Sequence, residues 1–97
     1  MAKRPAMSLD DAEAIGIAGL GYVAEDAVRL NRFLALTGLT PDQLRSEAGT
    51  PHMLAAVLDF LAGNESELVA CAANHGYPPE TFAMAGTLLR QAGEKSA

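Results

Sequence analysis

Apolar residues along this chain recur at steps of three and four, in stretches separated by glycine, proline and short polar side chains. At 100° per residue such steps collect the large side chains of a stretch on one side of a helix. No stretch alternates in the two-residue rhythm of a half-buried strand. The stripes are Leu9, Ala12, Gly16, Leu20 and Val23 in a first helix, then Leu30, Phe33, Leu34 and Thr37 in a second. After a short third helix come Leu54, Val57, Leu58 and Leu61 in a fourth, Leu68, Cys71 and Ala72 in a fifth, and Phe82, Ala85 and Leu89 in a sixth. Connections of a few residues force neighbouring helices to run antiparallel or to cross steeply. The expected fold is all-α: a compact orthogonal bundle of about six short helices in a single domain.

Start and stop signals bound the same stretches. Ser8 with Asp11 reads as an acidic capping box, Asp26 as a cap for the second helix and Gly38 as its stop. Thr40 with Gln43 is a second capping box with Pro41 at the first helical position, and Gly49 closes that helix after about two turns. Thr50-Pro51 opens the fourth helix and Gly63 ends it; Asn64 with Glu67 boxes the fifth, which Gly76 ends. Pro78-Pro79-Glu80 launches the sixth toward Gly93. The echo between "TGLTPDQL" and "HGYPPETF" is one helix-to-helix turn used twice: glycine ends a helix in the left-handed region, and the next apolar residue tucks back. Residues 1–7 are expected as a flexible N-terminal segment, 8–92 as the helical domain and 93–97 as a flexible C-terminal tail.

The chain's 97 residues suffice to bury roughly 65% of the unfolded surface without a staple. Cys71 is the single cysteine, which suits a reducing cytoplasm. The net charge of −5 argues against nucleic acid or an anionic membrane as partner, since both need a basic surface. "MAKRPAM" leads into "SLDDAEA" where a secretory signal needs an unbroken apolar core, and "MLAAVLDFLA" is about half a membrane span and carries Asp59. A cytoplasmic location is expected.

"AGLGYVA" fits G-x-G-x-x-A at Gly19, Gly21 and Ala24, but that fingerprint works only between a strand and a helix. Here it falls inside the first helix. Its three interior glycines, Gly16, Gly19 and Gly21, cost roughly 0.8–1 kcal/mol each relative to alanine, so the first helix is expected to be the least stable. Gly16 and Gly19 permit a close helix crossing; Gly21 points the other way. Cys71 and His75 share a face at ligand spacing, yet two ligands do not make a zinc site, and no orienting acid accompanies them as nucleophile and base. No catalytic, cofactor-binding or metal residues and no cofactor are expected. His52 and Asp59 lie two turns apart on a polar face. Glu25 stands four residues before Arg29, an ordinary ion pair on a helix surface. The third and fourth helices could form a helix-turn-helix, but "PHMLAAVLDFLA" has no Arg, Lys, Asn or Gln to read DNA.

Ile17, Tyr22, Val28, Leu36, Phe60, Met84 and Leu88 fall off the main stripes. Burial on more than one side explains some of them, and a partner surface explains the rest. The expectation is a small cytoplasmic, non-enzymatic, adaptor-like interaction module with an unidentified protein partner, or a homo-oligomer. Leu36 and Phe60 are the expected partner contacts. The alternative is an enzyme or small-ligand binder with an inter-helix pocket near Cys71 and His75.

Residues 23–80, most specifically "AEDAVRLNRFLALTGL" and "AAVLDFLAGNESEL", resemble a family of short, uncharacterised bacterial all-helical proteins, a domain of unknown function. Members often carry proline after the acidic pair, where this chain has Ala27, and alanine-like residues where its first helix has glycines. The resemblance implies an all-helical cytoplasmic protein without an established activity or site.

Overall fold

In the computed structural model, which describes residues 7–96, the chain forms α1 (Leu9–Ala24), α2 (Ala27–Thr37), α3 (Pro41–Glu47), α4 (Pro51–Ala62), α5 (Glu65–His75) and α6 (Glu80–Ser96). There is no strand among the described residues. Two capping boxes form as the sequence predicts: Ser8 with Asp11, and Thr40 with Gln43. Asp26, Thr50 and Asn64 accept from the backbone of Arg29, Met53 and Glu67, which satisfies an otherwise orphaned donor at each start. Gly38 and Gly76 end α2 and α5 at φ 74° and 73°. Beyond each, Leu39 and Tyr77 tuck back onto the core, so the repeated turn of the sequence is the same left-handed cap in both places.

Three helices make the centre. α4 packs most extensively on α6, and α1 lies across both. Gly16 sits at the junction: a Cβ there would lie 2.8 Å from Leu54 Cβ on α4 and 3.2 Å from Leu89 Cδ1 on α6. One turn on, a Cβ at Gly19 would meet Leu58 Cδ2 at 3.0 Å and Leu61 Cδ1 at 3.2 Å. These contacts advance together along both helices, so α1 and α4 run the same way with their backbones close. On α6, Gly86 faces Leu58 and Gly93 faces His52, an order that makes α4 and α6 antiparallel. Leu54, Val57, Leu58, Leu61, Phe82, Ala85 and Leu89 are buried, as their stripes require.

The remaining helices are attached by fewer side chains. α2 buries Phe33 alone, α3 buries Leu44 alone, and α5 buries Cys71 and Ala72. α6 continues through Gly93 to Ser96, so the expected tail is helical that far; Ala97, like residues 1–6 of the expected N-terminal segment, lies outside the described residues. Met7, the last residue of that segment, packs against the core. α1 is central, and the glycines that weaken its local helix preference are what let it approach α4. Its stripe shifts accordingly: Ile15, Gly19 and Tyr22 are buried and Leu9 is exposed.

Candidate functional site

The densest group of polar side chains joins α1, α2 and α5. Only Glu25 and Asp26 separate α1 from α2, so the first turn of α2 folds back over the last turn of α1. Arg29 thereby lies on Tyr22, its guanidinium carbon 3.8 Å from the ring centroid, and Arg29 Nη1 donates to the Tyr22 carbonyl. From α5, Glu67 closes the group: Tyr22 donates its hydroxyl to Glu67 Oε1 at 2.7 Å, and Arg29 Nε donates to Glu67 Oε2 at 3.0 Å. Both charged side chains are largely withdrawn from solvent, with 15% of Arg29 and 22% of Glu67 exposed.

This clasp departs from the sequence reading twice. Glu67 stands three residues after Asn64, but its carboxylate does not return to the Asn64 backbone to complete a capping box; it reaches across to Tyr22 and Arg29. Arg29 meets its expected partner Glu25 only at 4.0 Å, while its hydrogen-bonded partner lies 38 residues away. Tyr22, an off-stripe residue, is buried here. Helical spacing cannot signal a triad drawn from three elements.

The electrostatics of the clasp point away from proton transfer. The hydrogen bond from Tyr22 does most to hold the Glu67 carboxyl below its ordinary 4.5, Arg29 adding to it, although burial works the other way. Burial and the same hydrogen bond push the Tyr22 hydroxyl above 10. Beside them burial raises the Cys71 thiol to about 11, with Glu25 adding to the effect. A general acid or base works best when poised near the operating pH. Each of these shifts runs further from neutral pH.

Cys71 is fully buried and His75 exposed, so the shared face does not bring thiol and imidazole into one solvent-reachable site. Among the described residues no group of three His, Cys, Asp or Glu side chains could hold a metal ion. Asp59 is held by Arg90 through both carboxylate oxygens, at 3.0 and 2.8 Å, while His52 is exposed near Gly93. Gly19, Gly21 and Ala24 lie within α1. No helix of the described residues is long and apolar enough to cross a membrane.

The two expected contact residues separate. Leu36 is 75% exposed, whereas Phe60 is half-buried and packs edge to face on Phe33 with ring centroids 5.4 Å apart. Of the other off-stripe residues, Ile17, Val28 and Met84 are exposed and Leu88 is half-buried. Concavities among the described residues lie elsewhere. A groove of about 290 Å³ is lined by Thr37, Leu39, Glu47, His52, Met53 and Ala56. A more open depression of about 370 Å³ is lined by Met7, Met84, Thr87 and Leu88. The first is at the small end for a ligand cleft, and its Thr37 hydroxyl is already bonded to the Phe33 carbonyl at 2.8 Å.

A family model described as a protein of unknown function, DUF3572, matches residues 9–92. No curated protein and no solved structure matches the chain.

Proposed function

The chain belongs to the DUF3572 family, and we propose that it is a small, cytoplasmic, non-enzymatic protein–protein interaction module of adaptor type. The observation that carries this reading is the set of large apolar side chains held in water: Leu9, Ile17, Val28, Leu36, Val69 and Met84. Four of them stand on the central helix α1 or on the loosely attached α2. Isolated exposed apolar residues are ordinary on any surface, but an outward helix face that carries several is a feature of contact surfaces. The ionisable groups support the same reading, since the clasp spends its hydrogen bonds on itself and Cys71 is buried as an un-ionised thiol.

Site-specific photo-crosslinking in cells tests the module. A photoreactive residue in place of Leu36 is expected to yield a discrete adduct, either with another protein or with a second copy, that the same residue at exposed Gln91 does not. Identical adduct patterns from both positions would overturn the proposal.

A further inference from the structure

The helix that bears Leu36 is unlike the rest of this acidic chain. Between Ala27 and Thr37, α2 carries Arg29 and Arg32 and no carboxylate, although the whole chain has a net charge of −5. Its outward side is defined by what is exposed: Val28, Arg32 and Leu36 fall in one row at steps of four, with Asn31 and Ala35 beside them. Val28 is 69% and Leu36 75% exposed, the two highest values among the large hydrophobic residues described. The row spans about 12 Å from Val28 to Leu36.

Arg32 stands at its midpoint and is chemically free. Arg29 is bonded to Glu67, Arg45 to Asp42 and Arg90 to Asp59, but Arg32 makes no hydrogen bond or ion pair among the described residues. It pulls on Glu67 only through space, and both oxygens of that carboxylate are already taken. Arginine is one of the side chains enriched at interface hot spots, and Val28 and Leu36 supply apolar surface to either side of it.

The position of this charge selects the occupant. A second copy docking about a two-fold axis at the centre of the row would set Arg32 against itself, an uncompensated like-charge contact. A phosphate-rich surface would bring dense negative charge against the whole field of a chain with net charge −5, whereas a single carboxylate has only to meet the unpaired Arg32. Resting on the reading of the chain as an interaction module, we infer that the Val28–Arg32–Leu36 row of α2 docks an acidic amphipathic helix of a partner protein. The partner's carboxylate meets Arg32, and apolar side chains one turn to either side cover Val28 and Leu36.

The probe is a capped, fluorescently labelled helical peptide of about 20 residues, long enough to hold helix in water. It carries Leu, Glu and Leu at four-residue steps, and a control peptide has Lys in place of Glu. Anisotropy titrations of the full chain are expected to show the Glu peptide binding at least about tenfold tighter than the Lys peptide, with Arg32→Glu inverting that order. Leu36→Ala weakens the Glu peptide by about tenfold or more. Both replaced residues are exposed, and circular dichroism melts confirm that the variants fold. Equal affinity for the two peptides, absence of saturable binding to either, or an unchanged order in Arg32→Glu overturns the acidic-helix assignment. A discrete crosslink from Leu36 in that case leaves the module reading standing. Sedimentation of the wild type as a dimer that Leu36→Glu dissociates also overturns the assignment, by giving the row to a second copy.

Discussion

A methyl group added at Gly16 would fall 2.8 Å from Leu54 Cβ, an atom fixed to the α4 backbone, so the helices themselves would have to separate. The same methyl at Gly21 meets nothing within 4 Å. Overpacking costs about 1–3 kcal/mol, whereas alanine in place of a helical glycine returns about 1 kcal/mol of propensity. Gly16→Ala is therefore expected to lower the melting temperature and Gly21→Ala to raise it, the latter with a gain of about 0.5–1 kcal/mol in stability; equal signs in thermal melts would refute the close-approach account. Leu36 and Phe60 divide on the same logic. Leu36→Ala is expected to change stability by no more than about 0.5 kcal/mol. Phe60→Ala removes a half-buried ring from Phe33 and should cost about 1.5–3 kcal/mol. Denaturant titrations check both values. The sequence shows that both residues leave their stripes, but periodicity describes one helix at a time. Which off-stripe residue meets a neighbour depends on the neighbour, and so Phe60 found Phe33 while Leu36 found solvent.

Among the elements, α5 is held by the clasp together with its buried Cys71 and Ala72 and the half-buried Leu68 and Ala70. The folded Glu67 carboxyl releases its proton more readily than in the unfolded chain. Its contribution is therefore complete above the ordinary 4.5 and is lost as pH falls through the lower folded value. Glu67→Gln keeps an acceptor for Tyr22 but lacks the charge for Arg29, so its stability should fall below wild type at pH 7 and approach it at pH 3. Melts at both pH values decide; a gap that widens in acid would contradict the assignment. Glu67→Ala, which also strands the Tyr22 hydroxyl and the Arg29 guanidinium, should cost about 1–3 kcal/mol. The helix starts and stops that bound these elements were legible because caps are local chemistry, as at Ser8, Thr40 and Gly76. The destination of the Glu67 side chain was not, because a capping box and a cross-helix ion pair present the same residue at the same spacing.

For the molecule as a whole, the first and last helices meet in the centre: α1 packs on α6 as well as on α4, although some 55 residues separate the two helices in sequence. No local pattern announces that pairing. Read from the sequence alone, the glycines of α1 predict the fastest amide exchange there, at roughly 0.8–1 kcal/mol of lost propensity each. Packing reverses the expectation, since Gly16 and Gly19 lie under Leu54, Leu89, Leu58 and Leu61 and those contacts break only when the three-helix centre opens. Local exchange follows the least stable cooperative unit, and α2, α3 and α5, which make the fewest contacts with the other helices, are expected to be that unit. Native-state hydrogen exchange is therefore expected to protect α4, α6 and the Gly16–Val23 half of α1 alike, with α2, α3 and α5 exchanging earlier. In 1 M salt, where ionic attraction is screened within about 3 Å, the clasp weakens and exchange in α5 and the first turn of α2 should quicken while the centre holds its protection. Fastest exchange between Gly16 and Tyr22 would show that propensity governs α1 after all. A uniform response to salt would show that the clasp secures no element of its own.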